Sequence, residues 1–239
     1  MQKNWLSRER LLIGDKGLSR LADATVCVLG LGGVGGAAAE ALCRAGVGHL
    51  ILVDHDTVDL TNLNRQIFAT MDAIGKKKID AAKHRLYSIN PSIQLTLLDT
   101  FYLPDCREEV FSYAPDFIID AIDTVTAKLD LAQQCGMRGI PLISCLGTGN
   151  RFDPSKLTVG TIEETTGCGC PLARVIRREC KKRNIQKLPV VFSTEFPAQG
   201  ICSDDSPTGR HSPGSISFVP PVAGYLLASF AVRSLLKLK

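Results

Sequence analysis

The chain has 239 residues, 45% hydrophobic and 22% charged, which excludes disorder for its bulk and leaves room for a large core. Its 28 Lys and Arg against 24 Asp and Glu give a net charge of +4, too small an excess to announce nucleic-acid binding by itself. Nine Cys, an odd number set mainly inside apolar runs such as Val26-Cys27-Val28, read as core thiols of a reducing compartment and not as a disulfide framework.

The opening residues form no apolar signal segment, and no stretch reaches the ~18 uncharged apolar residues of a membrane span. The nearest, Val219 to Val232, reads as a short buried helix. A soluble, cytoplasmic protein with no membrane partner is expected. Thr25 to Gly30 is an apolar run ending in glycines, the mark of a buried parallel strand. A helix follows over 34–46, a strand over His49 to Val53, a long helix over 72–89 and a third strand over Ile93 to Leu98. A short helix at 105–112, a strand from Phe117 to Ala121, a helix at 125–137 and a strand from Pro141 to Leu146 continue the alternation. Strands alternating with helices predict an α/β, Rossmann-like, doubly wound and mostly parallel sheet.

Beyond Gly147 the pattern changes into a C-terminal elaboration, 147–239, of a single domain spanning 1–239. Strands are expected at Leu157 to Ile162 and Val190 to Thr194, flanking a helix at 171–184. The Ser-, Pro- and Gly-rich stretch 198–214 reads as a long loop. Ile216 to Val219 and a helix at 221–236 close the chain.

Gly30-Leu31-Gly32-Gly33-Val34-Gly35 lies between a strand and a helix, where glycines permit a tight turn and let phosphates approach helix N–H groups. Asp54, 24 residues after Gly30, ends the next strand, where an acid accepts from a ribose hydroxyl. A dinucleotide needs little more than this, but a triphosphate demands cations and a metal. Cations follow at Asn62-Leu63-Asn64-Arg65-Gln66 and at Gly75-Lys76-Lys77-Lys78, although a lysine run can also be a solvated helix start. Asp120 and Asp123 fall at the carboxyl end of the fourth strand, where two carboxylates beside phosphates call for Mg²⁺ between them. Together these features favour ATP over NAD. His49, His55, His84 and His211 share no spacing and read as structural or surface residues.

The ordered set Gly30–Gly35, Asp54-x-Asp56-x-Val58, Asn62-x-x-Arg65-Gln66, Gly75-x-x-Lys78, Ile89-Asn90-Pro91 and Asp120-x-x-Asp123 resembles the ubiquitin-activating-enzyme-like superfamily of ThiF, MoeB and HesA. The resemblance implies adenylation of a carboxylate with MgATP. By it, Gly30, Gly32, Gly33, Gly35, Asp54 and Asp56 belong to the nucleotide site, with Asp54 on the ribose. Asn62, Arg65 and Lys78 would hold phosphates, Gln66 would support them and Asp123 would hold Mg²⁺. Arg10, in Arg10-Leu11-Leu12-Ile13-Gly14, would reach in from a partner subunit of a homodimer.

MoeB- and ThiF-like members usually carry two Cys-x-x-Cys zinc pairs, and this chain has none, so no structural zinc is expected. Gly149-x-x-x-Asp153-Pro154, Pro171-Leu172-Ala173-Arg174 and Phe192-Ser193-Thr194-Glu195 instead resemble the tRNA threonylcarbamoyladenosine dehydratase group. That likeness implies activation of the modified adenosine's carboxylate in tRNA, then ring closure, with a sulfur-relay protein as a further candidate partner. The chain departs from the group at Cys170, before Pro171, where an acidic residue is common. Cys168, Cys170 and Cys202 lie in polar or Gly-rich surroundings where a thiolate could be exposed.

Rival readings are adenylation of a ubiquitin-like or sulfur-carrier protein's C-terminus, a NAD-dependent oxidoreductase on the same glycine turn, and an inactive scaffold. On the helix at 171–184, Arg174, Arg177, Arg178, Lys181 and Lys182 fall on one side, with Leu172, Val175 and Ile176 opposite. The row reads either as an RNA-backbone arm or as a solvated basic face.

Overall fold

The computed structural model describes residues 4–199 and 213–238. Seven strands form one sheet in the order β3-β2-β1-β4-β5-β7-β6. They are β1 (Thr25–Leu29), β2 (His49–Val53), β3 (Gln94–Leu98), β4 (Phe117–Asp120), β5 (Leu142–Cys145), β6 (Leu157–Thr161) and β7 (Pro189–Ser193). Every pairing is parallel except β6 with β7, where Leu157 faces Ser193 and Thr161 faces Pro189. This is the doubly wound, mostly parallel α/β architecture read from the alternation of strands and helices.

Alternation along the strands sends side chains into two cores. Val26, Val28, Leu50 and Leu52 enter one, with α1 (Ser7–Ala22), α2 (Gly35–Arg44), α3 (Lys78–Ile89) and α7 (Val219–Leu236) over it. Cys27, Leu29, Ile51 and Val53 enter the other, beneath α4 (Arg107–Phe111), α5 (Val125–Arg138) and α6 (Pro171–Lys182). Strands β1, β2, β4, β5 and β7 are buried on both faces, so they read as continuous apolar runs, whereas the edge strands β3 and β6 are partly exposed.

Several expectations need correction. The N-terminal helix α1 has no counterpart in the sequence reading, because Gly14, at φ +67°, kinks it and interrupts its pattern. The helix expected from 72 begins at Lys78, since a 3-10 turn at Met71–Ala73 and Gly75 at φ +81° precede it. The helix expected over 105–112 divides into a 3-10 turn, Pro104–Cys106, and α4. Cys168 and Cys170 are buried, not exposed, and Cys170 Sγ accepts from Ala173 N as the cap of α6. Cys202, His211 and most of the loop at 198–214 lie outside the described residues.

The final helix is also longer than expected. It runs 18 residues and is long and apolar enough, by length and composition alone, to cross a membrane. Here it packs along α2 and the sheet, burying Val219, Ala223, Leu227 and Ala231. A Cβ on Gly224 would stand 2.2 Å from Val34 O, so the two helices meet backbone to side-chain-free backbone. Pro220 sits in its first turn, where a missing N–H costs nothing.

Candidate nucleotide-binding cleft

The carboxyl ends of β1, β2 and β4 open onto a cleft of about 370 Å³. At its floor the chain leaves β1 through Gly30, at φ +86°, whose missing Cβ would lie 2.8 Å from Ala121 O. Gly32 has no atom within 4 Å of the place a Cβ would take, so its backbone is open to the cleft. Gly35 does not line the cleft. It packs on Gly30 O, which a Cβ would approach to 1.8 Å, and so lets α2 begin directly under the turn. No side chain caps α2; Gly36 N donates to Gly32 O at 2.9 Å, and the other N–H groups of the first turn are left for an anion.

Asp54 is buried and bridges two loops. Its Oδ2 accepts from Leu31 N at 2.6 Å and its Oδ1 from Asp56 N at 2.8 Å. Asp56 in turn accepts from Lys78 Nζ at 2.7 Å through Oδ2, which aims the buried lysine into the cleft. Burial pushes the Asp56 carboxyl up, but the Lys78 hydrogen bond and the charges of Lys78, His55 and Lys77 outweigh it and hold the group below the usual range. Lys77, in extended backbone before α3, points elsewhere, to Asp99 at 3.0 Å and His55 O at 2.9 Å, so of the run Lys78 lines the cleft.

Asn62 caps its own 3-10 turn, its Oδ1 accepting from Asp59 N at 3.1 Å. Arg65 is steadied by Nη1 donating to Thr61 O at 2.8 Å and Asn64 Oδ1 at 2.9 Å. Both line the cleft, as do Gln66, Lys78 and Asp123. Arg10 does not: on α1, its Nε lies 2.8 Å from Asp15 Oδ1, close enough for an ion pair but not aligned as a hydrogen bond.

The pair of carboxylates expected at β4 resolves differently. Asp120 is fully buried and held by Lys128 and Ser144, so Asp123 alone of the two faces the cleft. His55, expected to be structural or on the surface, lines the cleft, as do Phe101 and Tyr102, which the sequence did not single out. His55 Nε2 lies 3.2 Å from Asp56 Oδ1, and its ring meets Phe101 edge-on at 4.7 Å. Tyr102 donates to Asp130 Oδ2 at 2.9 Å, and burial, with Asp130 beside it, keeps its hydroxyl protonated. The available signal was position: residues 100–102 follow β3 on the same carboxyl edge as Asp54 and Asp123.

Asp54, His55 and Asp56 bring three donor atoms within 4.8 Å of one another, but the Asp54 oxygens already bind backbone and Asp56 binds Lys78. Asp123 is the better match to a hard divalent cation. It is exposed to the cleft, and its one hydrogen bond among the described residues is a long one from Thr124 Oγ1 at 3.4 Å.

On α6, the buried stripe is Ala173, Ile176 and Cys180, with Val175 only half-buried. Arg174, Arg178 and Lys181 face outward. Arg177 is half-buried and donates from Nη1 to Thr165 Oγ1 at 2.9 Å, while Lys182 pairs with Glu179 at 2.9 Å. Arg174, Arg177, Arg178 and Lys181 line a second concavity of about 780 Å³, which shares no residue with the nucleotide cleft.

The fold is a doubly wound sheet with a glycine turn and fixed cations at its carboxyl edge, and the chain belongs to the ThiF family, whose model matches residues 6–239. It is 41% identical to the tRNA threonylcarbamoyladenosine dehydratase of Bacillus subtilis, over 97% of this chain and 94% of that one. It superposes on the crystal structure of Escherichia coli tRNA N6-threonylcarbamoyladenosine dehydratase, TcdA, in complex with ATP, with a TM-score of 0.86 and 33% identity over 97% and 93% of the two chains. The molybdopterin-synthase adenylyltransferase of E. coli is 35% identical, over 66% of this chain and 62% of its own.

Because Lys78 offsets the burial of Asp56, the Asp56 carboxyl should titrate below the ordinary aspartate range in the wild type and higher in Lys78→Ala. The Lys78–Asp56 pair should persist as pH falls to the ordinary aspartate range and be lost only as pH drops through the lowered value. Carboxyl-detected NMR titration measures this; equal midpoints in the two proteins would remove Lys78 as the cause.

Proposed function

We propose that this protein uses ATP to activate the carboxylate of threonylcarbamoyladenosine in tRNA and closes that side chain into a ring with net loss of water. The observation that carries the reading is the extent of the likeness. The B. subtilis dehydratase aligns with 97% of the chain, whereas the molybdopterin-synthase adenylyltransferase leaves about a third of it unmatched.

The chain's own groups suit the first step. The turn at Gly30–Gly33 and the uncapped end of α2 receive phosphates, and Asp54 lies where a ribose hydroxyl would donate. A substrate carboxylate oxygen attacks the α-phosphorus, and pyrophosphate leaves with the electron pair of the broken bond. Negative charge grows on the phosphates, where Arg65 and Lys78 stabilise it as fixed cations without proton transfer. Mg²⁺ held by Asp123 would supply further neutralisation of phosphate oxygens.

In the second step an internal nucleophile of the same side chain displaces AMP. The oxygen removed from the substrate departs on AMP, and the nucleophile's proton passes to water. The protein's work here is positioning.

The chain acts as one adenylating unit in the cytoplasm, with 147–239 extending the nucleotide-binding sheet through β6 and β7. It works as a homodimer joined near α1, where Leu11 and Leu12 are 77% and 87% exposed beside Arg10. Light scattering at micromolar concentration should give twice the chain mass; a fully active monomer would contradict this.

Incubation with ATP and tRNA carrying threonylcarbamoyladenosine, followed by mass spectrometry of nucleosides, should show the modified adenosine lighter by one water. Asp123→Ala should abolish that change while the protein stays folded. Unchanged nucleosides with the wild-type protein would defeat the assignment, and wild-type turnover in the variant would remove Asp123 from the mechanism.

The outward cations of α6 give the RNA backbone a place to bind, with affinity that falls steeply as salt rises. Reversing Arg174, Arg178 and Lys181 to Glu spares Arg177 and its bond to Thr165. The triple variant should raise the tRNA KM at least ~10-fold and leave ATP binding unchanged. Unaltered tRNA binding would make the row a solvated face.

A further inference from the structure

Beneath the cleft lies a charged cluster with no access to solvent. Asp120 is 0% and Lys128 1% exposed, and Ser144 is buried between them. Lys128 Nζ reaches Asp120 Oδ1, Asp120 Oδ2 and Ser144 Oγ, each at 3.0 Å, which uses all three ammonium protons. Ser144 Oγ donates to Asp120 Oδ2 at 2.5 Å. Asp120 Oδ1 also accepts from Ile122 N at 3.2 Å. The network is closed, and every charge in it is paired.

A buried ion pair is a poor source of stability, because apolar side chains of similar volume can hold a core as well or better. What such a pair offers is direction. Asp120 lies three residues before Asp123 and Lys128 five after it, so their contact closes the short loop that presents Asp123. The loop is fixed on its β4 side by Ala121 N on Leu29 O at 2.9 Å and by Ile122 N on Asp120. On its other side Lys128 N bonds Thr124 O at 3.1 Å in the first turn of α5. Ser144 is the partner of Asp120 across β4 and β5, which ties the cluster to the sheet.

We propose that Lys128, Asp120 and Ser144 are positioning residues that hold the Asp123 carboxylate at its place in the nucleotide cleft and so set how Mg²⁺ supports ATP binding. The proposal rests on the MgATP reading of the cleft. None of the three side chains lines the cleft. Their effect passes through the backbone of 120–128, and displacement of a reacting group by ~1 Å is enough to cost up to ~10²-fold.

The test is calorimetric titration of ATP over a series of Mg²⁺ concentrations, with thermal melting of each protein alongside. Asp120→Leu/Lys128→Met removes both charges at similar volume, and Ser144→Ala removes the bridging hydroxyl without stranding a carboxylate. Both should melt near the wild type, yet need on the order of 10-fold more Mg²⁺ for half-maximal ATP binding. The tRNA KM should stay at its wild-type value, a split that a general loosening of the fold would not produce. Wild-type Mg²⁺ dependence in a folded double variant would overturn the inference. Should the double variant not fold, Ser144→Ala decides alone: a raised Mg²⁺ requirement at unchanged melting supports the proposal, and an unchanged one overturns it. Wild-type protein that binds no ATP at any Mg²⁺ concentration would overturn the adenylation reading and this inference with it. Wild-type binding matched by both variants would overturn this inference alone.

Discussion

The cleft hangs from the Asp54 carboxylate. With one oxygen on Leu31 N and the other on Asp56 N, it joins the glycine turn after β1 to the loop after β2. Through Asp56 the same connection reaches Lys78 at the start of α3. A buried carboxylate needs such partners, since burial without hydrogen bonds would favour its neutral form. Meeting that requirement fixes the distance between the glycine turn and the lysine across the cleft from it. Asp120 plays a corresponding part on the far side of β1, where Lys128 and Ser144 compensate its charge within the protein.

These two anchored strand ends set two fixed cations, Arg65 and Lys78, among the carboxylates of Asp54, Asp56 and Asp123 that also line the cleft. Lys78 and Arg65 are held before any ligand arrives, so little side-chain freedom remains to be lost on binding. The helices beneath contribute through shape. The approach of α7 to α2 at Gly224 and of α2 to the turn at Gly35 would each be blocked by a single Cβ, so packing far from the ligand sets the height of the cleft floor.

Much of this was legible in the sequence because it rests on local rules. The strands are apolar runs closed by turn residues, and β2 falls where it was expected, at His49–Val53. Gly30, Asp54 and Asp123 follow strand ends and Lys78 starts α3, so chain order brings them to one edge, where the turn after Leu60–Asn62 adds Arg65. Contacts between distant segments were not legible. Lys128 sits amid an ordinary helical pattern, and nothing nearby in sequence announces that it neutralises Asp120. His55 and Phe101 become neighbours only when β2 and β3 pair. Cys170 in a Gly-rich stretch suggested exposure, yet its place as the cap of α6 carries it inside. Helix α1 was lost to its own kink at Gly14.

The central claim is that the activated carboxylate belongs to a nucleoside in RNA and not to a protein tail. Exchange of labelled pyrophosphate into ATP reports the adenylation step alone, before any ring closes. Tested with tRNA bearing threonylcarbamoyladenosine, with the same tRNA lacking that modification, and with a sulfur-carrier protein ending in glycine, exchange should be stimulated by the modified tRNA only. Stimulation by the carrier protein, with none from the modified tRNA, would contradict the account.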